Sequence, residues 1–515
     1  MTLKNTQNGW IFLGFHRPSD ILSSCLIRSA MKFRTGLVVS ILMSLSLVAQ
    51  TPPYKVEPNV ARMQKDLYYL AGPECMGRGT GEVGQTVAAA YIAKEFKAAG
   101  LEMIKGNSMN GYLFSYPLKK TTVNPSKMKM TLGALSLNSG SDYETMATTN
   151  FEGELVRMNT SDLSKVGDLK GKMVLMILGS ENPMQAMQSA SRPLMQAGAV
   201  GILYGWSNFG PDQKKLMGML KSQGGGPRLS IPNATGPARP GRTPRFTAWL
   251  TEEGLQKIEG AFSEGLKVSF QAGTNEEMIT ATNVVGVIPG TDPVLKNEYV
   301  VISAHHDHLG GTKEDYYPGA DDDASGTTGL MELARQLRTT KNKRSILFLS
   351  VSGEEKGLLG SESFLLNPPI PINQMVANVN IDMIGRMETT RVDVAPARVE
   401  KGVSELTQYA REIAASMGIN LTAEADKYWL RSDHYNFFKR GIPALFFFDG
   451  MGDVLDYHQK TDTADKINYE KIALIVKMTY GLLRTTANAD KAPRILEKSE
   501  YESWTWATPP TGAGQ

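Results

Sequence analysis

The chain has six histidines, and five of them, His305, His306, His308, His434 and His458, lie beyond residue 300. The first three sit in Ala304-His305-His306-Asp307-His308, directly after the apolar run Tyr299–Ser303. An imidazole followed two residues later by a carboxylate can be a metal ligand and its orienting partner, because ligating histidines usually donate their second ring N–H to an acceptor. A polar loop with clustered histidines would read the same way. Gly319-Ala320-Asp321-Asp322-Asp323-Ala324-Ser325-Gly326 places three acids side by side. They repel one another, and a buried cation relieves that repulsion. A helix N-terminus would absorb one or two of them without a metal.

Three further segments carry the same kind of chemistry. Ser352-Gly353-Glu354-Glu355 follows the apolar run Ser345–Val351. One carboxylate of such a pair can hold a metal while its neighbour accepts a proton from water, and Gly353 permits the bend between strand and pair. Asp382 ends the apolar stretch Val376–Ile381, where an acid is costly without a partner. His458 stands in a polar segment, Tyr457–Thr463, and means little alone. The only cysteines are Cys25 and Cys75, so a thiolate metal site and a disulfide framework are both excluded. Imidazole and carboxylate donors suit zinc, manganese or cobalt in a hydrolytic site. Two ions about 3.5–4 Å apart, sharing one carboxylate, would use His, Asp, Asp, Glu and His economically.

These residues need elements to hold them. From Asn283 onward, apolar strands alternate with amphipathic helices. Tyr299–Ala304, Ser345–Val351, Val376–Ile381 and Ala444–Phe448 read as buried strands, and Thr327–Leu337, Val403–Ala415 and Tyr469–Leu483 as helices. That alternation predicts an α/β fold with a mostly parallel sheet covered on both faces. In such sheets ligands bind at the carboxyl ends of strands, where four of the five clusters fall. Val87–Ala99 predicts another helix, stopped by Gly100 and preceded by the glycine-rich turn Gly77–Gly81. Residues 135–278 differ: short apolar strands such as Lys172–Leu178 and Val200–Tyr204 lie between Gly/Pro/Ser-rich loops, and no histidine occurs. This stretch reads as a β-rich insertion. The last 25 residues, 491–515, read as a loose tail.

At 515 residues the chain is long enough for two or three domains. A net charge of +3 with no dense Lys/Arg run makes nucleic acid and anionic membranes poor partners. Lys32 and Arg34 precede an apolar run from Gly36 to about Ala49. This is the pattern of a signal peptide, too short for the ~20 residues of a membrane span. Met31 reads as the true start, residues 1–49 as leader and signal, and the mature protein as exported, periplasmic or secreted, with no stable span left after removal.

The order HxD, GADDDASG, EE, NIDM and H resembles metallopeptidase family 28, the di-zinc aminopeptidases of the bacterial leucyl aminopeptidase type. LAGPECMGRGTGEVGQ with AAAYIAKEFKAAGL is similar to that family's N-terminal helical region, and TNVVGVIPG to its first sheet strand. The stretch around GKMVLMI and AGAVGILYG is similar to a protease-associated domain. The resemblance implies a three-layer α-β-α fold with a mostly parallel mixed sheet, formed by 54–134 and 279–490, with a protease-associated-like domain inserted at 135–278. It implies two Zn2+ ions per chain. His305 and Asp382 would hold one, Glu355 and His458 the other, and Asp322 would bridge them. Glu354 would be the general base and Asp307 would orient His305. It also implies a cis bond between Asp322 and Asp323. Arg431-Ser432-Asp433-His434 matches a family pattern near the pocket without assignable roles, and His306 and His308 are left out of the metal site because the family varies there. The implied activity is removal of N-terminal amino acids from peptides. Carboxypeptidases or dipeptidases share the ligand set; glutaminyl cyclases work with one zinc, and receptor-like relatives lose the metals.

Overall fold

The computed structural model describes residues 55–179, 182–222, 226–232, 246–263, 265–449 and 456–507, all within one compact unit. The leader and signal at 1–49 lie outside the described residues. Around the four strands named above runs a ten-stranded mixed sheet. Its centre is the row Ser345–Val351, Tyr299–His305, Met375–Ile381 and Ala444–Phe448, all mutually parallel. Thr274–Ile288 and Arg391–Ala395 flank this row in antiparallel pairing.

Strand alternation sends successive side chains to opposite faces. Val300, Ile302 and Ala304 join one apolar cluster with Ile92, Leu330, Leu406 and Val476, from the helices Val83–Ala98, Gly326–Leu337, Glu405–Met417 and Tyr469–Asn488. Val301 joins a second cluster with Leu347, Phe364, Phe437 and Phe446, covered by the helices Leu359–Leu366 and His434–Phe438. The sheet is therefore buried on both faces, as near-continuous apolar strands require. The predicted strands and helices agree with these elements to within a few residues at most ends. Tyr469–Asn488 runs five residues past the expected end, carried by Ala487 and Thr486, which are buried.

A second, eight-stranded sheet occupies Lys129–Gln271. It hangs on a long antiparallel ribbon in which Leu113–Val123 pairs with Thr274–Ile288, from Thr274 opposite Val123 to Val284 opposite Leu113. This region is α/β and not simply β-rich. Phe151–Asn159, Lys172–Leu178, Gly201–Trp206 and Phe246–Leu250 are parallel neighbours, and parallel strands need crossovers. The helices Pro183–Gln196 and Pro211–Ser222 lie in those crossovers. Residues 491–507, expected as a loose tail, pack instead against the main unit. Leu496 and Tyr501 are buried beside Val403, and the Arg411 guanidinium stacks on both Trp504 and Trp506.

One buried side chain ties three loops together. Arg78, in the glycine-rich turn, is fully buried. Its Nε donates to the His306 carbonyl at 2.8 Å and its Nη2 to the Gly319 carbonyl at 2.8 Å, while Nη1 donates to the carbonyls of Leu70 and Pro318. Backbone bonds from His308 to Arg78 and from Gly310 to Gly77 complete the docking. Leaving a buried acceptor without its donor costs about 1–3 kcal/mol. Arg78→Met is expected to lower stability by at least about that much, read as a shift of the urea midpoint. Arg78→Lys, which keeps the charge and loses the planar fork, should recover only part of it.

Candidate metal centre

His305 is the last residue of its strand, Asp382 follows Met375–Ile381, and Glu354 and Glu355 lie just past Ser345–Val351. Three adjacent parallel strands thus deliver four of the seven candidate side chains to one edge. Gly353, at φ +78°, turns the chain between strand and glutamates, a conformation that glycine adopts freely. Gly319, at φ +55°, precedes the acidic triplet, and a Cβ there would lie 2.3 Å from the Asp322 carbonyl oxygen and 2.5 Å from the His308 ring.

The acidic triplet divides its work. The Asp321 carboxylate accepts from the Gly385 N–H at 2.8 Å. Asp323 accepts from the backbone N–H groups of His305, Gly326 and Met383, which includes the helix-terminus role that an acid there can play. Asp322 alone is left facing the histidines, and the peptide bond after it is cis, as the resemblance implied. Its Oδ1 lies 3.3 Å from His305 Nε2 and its Oδ2 3.2 Å from His458 Nε2. His305 Nε2 is also 3.5 Å from Asp382, and His458 Nε2 is 3.2 Å from Glu355. Two donor groups sharing Asp322 result. One is His305, Asp322 and Asp382; in the other, Asp322 and Glu355 are joined by His308 as well as His458.

A divalent cation fits this arrangement. Asp382 Oδ1 and His458 Nε2 are buried with no hydrogen-bond partner, which is costly unless a cation takes them. All donors are imidazole nitrogen or carboxylate oxygen, the set that suits zinc. Burial opposes ionisation of Asp322, yet hydrogen bonds with His305 and His458 hold it well below the usual carboxylate range. Glu354 goes the other way. Burial pushes it well above that range, against the pull of His305 and with help from the charges of Glu355 and Asp382.

Asp307 acts differently from the simplest expectation. His305 Nδ1 is 3.1 Å from its backbone carbonyl and 3.7 Å from its carboxylate. The carboxylate itself accepts from the Thr80 hydroxyl at 2.6 Å and from the Glu354 N–H at 3.1 Å. Asp307 therefore orients both His305 and the start of the glutamate pair. His306 and His434 lie outside the centre. His306 contacts Ser350 and Gln85, His434 contacts the Trp429 carbonyl, and burial takes both imidazoles down to about 3.

The sequence reading did not single out several residues that matter here. His308, left out of the metal site, has its Nδ1 2.7 Å from Glu355 Oε1. Ser432 donates to Asp382 Oδ2 at 2.6 Å, and a chain through Asn380 to Ser303 continues behind it. The Arg431–His434 motif was the only signal for Ser432. Nothing in sequence pointed to Thr80 or to Arg78.

Without metal, the centre holds protons. Burial pushes Asp433, packed behind the centre, up to about 7. Burial lowers His458, but the nearby carboxylates of Asp322 and Glu355 carry it up to about 9. Both groups bind protons in the folded chain at a pH where the unfolded chain has released them, so stability falls as pH rises through these values. The urea midpoint of chelated protein is expected to fall between pH 5.5 and 9, and zinc to reduce that fall; a flat or rising profile would contradict this.

Comparison with known proteins agrees with the geometry. Residues 283–482 match the family model described as peptidase family M28. The chain is 23% identical over 256 residues to "Aminopeptidase YwaD" of Bacillus subtilis (strain 168), an alignment covering 48% of this chain and 53% of that protein. It is 30% identical over 258 residues to "Probable leucine aminopeptidase 1" of Trichophyton verrucosum, covering 46% and 66%. The chain thus spans about half the length of the first of these relatives. The solved aminopeptidase from Aneurinibacillus sp. strain AM-1 shares the fold, with a TM-score of 0.52, 20% identity, and coverage of 86% of this chain and 95% of that one. Residues 283–482, which contain all seven of the principal candidate residues, form a peptidase family M28 domain, and that family is one of hydrolases.

Proposed function

We propose that this protein is an exported exopeptidase that removes N-terminal amino acids from peptides, with two zinc ions per chain. The observation that carries this reading is the pair of donor groups sharing Asp322, with Glu354 beside them and apolar side chains in the same pocket. His305, Asp322, Glu354 and Asp382 line that pocket together with Met383, Tyr428, Phe446 and Phe448. The acids favour a free amine at the metal end, and the aromatic rings favour an apolar first side chain. The aminopeptidase names among relatives support the same reading. Residues 135–278 are proposed as a protease-associated-like insertion.

His305 and Asp382 would hold one ion, Glu355 and His458 the other, and Asp322 both. Zinc bound there would supply Lewis acidity toward the scissile carbonyl and make a water acidic enough to attack it. The chain's own residues do the proton work. Glu354, beside the donor groups, would take a proton from the attacking water and return it to the departing amine. Asp307, by accepting the Glu354 N–H, fixes where that carboxylate begins. Ser432 and His308 restrain the carboxylates of Asp382 and Glu355, as outer partners of metal ligands commonly do.

No helix of the described residues is long and apolar enough to cross a membrane. Export rests on the apolar run after Lys32 and Arg34. N-terminal sequencing of the natural protein is expected to begin near Gln50, and a start before Met31 would overturn it.

The two glutamates separate catalysis from metal binding. Glu354→Gln is expected to keep both ions and lose activity by at least the ~100–10,000-fold of a missing general base. Glu355→Gln should empty or weaken one site, because an amide is a neutral, poorer ligand. Asp307→Asn should cost about 10–100-fold in metal affinity or turnover. Metal analysis beside turnover of aminoacyl chromogenic substrates, free and N-blocked, reads all three. Metal loss in Glu354→Gln with retention in Glu355→Gln would reverse the assignment, and cleavage of N-blocked dipeptides would point to a carboxypeptidase.

A further inference from the structure

Next to the aromatic pocket lies a groove that brings cations beside the acids. Glu354, Arg431 and Tyr457 line both, so the two adjoin. Past Glu355 and His458, the groove is bordered by Arg228, Leu229, Lys356 and Arg431. Three cations therefore face one space, and they arrive from three separate parts of the chain. Arg228 comes from the short strand Arg228–Ser230, which pairs with Leu113–Val123 at the margin of the main sheet.

None of the three is neutralised by an acid among the described residues. Arg228 donates to the Met146 carbonyl and the Thr148 hydroxyl. Arg431 donates from Nη2 to the Tyr457 hydroxyl at 3.0 Å and lies over the Tyr428 and Tyr457 rings. These contacts fix the two guanidiniums while leaving their charge unpaired. Lys356 is half-buried with no polar partner among the described residues. Like charges gathered at one cleft raise the local potential and favour an anion there. Two acids, Glu354 and Glu355, line the groove where it meets the metal end, while Asp322 and Asp382 line only the aromatic pocket.

A short peptide carries the matching polarity, an amine at one end and a carboxylate at the other. With its first residue in the aromatic pocket, its remaining residues must leave along the cationic groove. We propose that this groove binds the C-terminal carboxylate of the substrate, so that the enzyme acts preferentially on dipeptides and tripeptides with a free C-terminus. Charge-assisted hydrogen bonds from Lys356 and the Arg431 fork would hold that carboxylate. In a long peptide the neutral amides occupying the groove would leave the cations unpaired. This inference rests on the peptidase reading of the preceding section.

The test uses the zinc-loaded full chain and three substrates: Leu-Gly-Gly, its C-terminal amide, and leucine p-nitroanilide. The free acid is expected to exceed its amide in kcat/KM by ~10-fold, the equivalent of ~1.4 kcal/mol, with the difference mainly in KM. Raising sodium chloride should shrink the ratio, because partly exposed charges are screened. Lys356→Gln and Arg431→Gln should each reduce the ratio, and the double variant should bring it near one. A wild-type ratio near one, or a ratio unchanged in the double variant, overturns the inference while turnover of the p-nitroanilide leaves the peptidase reading standing. Failure to hydrolyse any of the three overturns both.

Discussion

Burying several carboxylates in one place is unfavourable unless each finds a donor or a cation, and that constraint organises this protein. Asp307, Asp321, Asp322, Asp323, Asp382 and Asp433 are all buried within or behind one strand edge. Most of them are satisfied by backbone N–H groups or hydroxyls. Asp323 takes three amides, Asp307 takes Thr80 and the Glu354 amide, and Asp433 takes Ser361. Asp321, Asp382 and Asp433 each keep one oxygen without a partner; Asp322 and Asp382 are the acids that face His305, and Asp322 also faces His458. The metal centre forms where these two acids meet the imidazoles, while the surrounding chain supplies donors to the other buried acids.

Arg78 supplies the protein's own positive charge to this cluster. Burial depresses its guanidinium, and the nearby charges of Asp322, Asp323 and Asp462 oppose the depression. Its contacts are nonetheless all to carbonyls, including those of His306 and Gly319 in the loops that flank the centre. It therefore sets the separation between the His305 strand end and the acidic triplet without occupying the space between them. A lysine could deliver the charge there but not the fixed fork of donors.

The second sheet bears on the site through a ribbon and one strand. Leu113–Val123 runs out to it, Thr274–Ile288 returns, and Arg228–Ser230 folds back onto Leu113–Val123. That return brings Arg228 and Leu229 to the groove beside Glu355. Residues within 135–278 thus border the groove although they supply none of the metal-centre side chains.

The four central strands were legible because each is a near-continuous apolar run, and such runs end where an acid or imidazole becomes tolerable. His305, Asp382, Glu354 and Glu355 were visible for that reason. The acidic triplet was visible because three adjacent acids carry more charge than a helix terminus can absorb, and Asp322 was singled out within it by the family resemblance. The helices of the 135–278 region were not legible beside its strands; Pro183–Gln196 carries Pro193 within it, a residue that sequence reads as a helix breaker. Local sequence also could not reveal who meets whom. Thr80 reaches Asp307 across 227 residues, Arg78 reaches the His306 carbonyl across 228, and Ser432 reaches Asp382 across 50. His308 looked expendable in the chain, yet the loop path set by Gly319 and Arg78 presses its Nδ1 against Glu355. Sequence by itself determined which side chains could bind a metal and at which strand ends, since burial and charge are written locally. Only the tertiary structure decided which of them face one another and which are held from behind, because those contacts depend on strand register and loop closure across the whole chain.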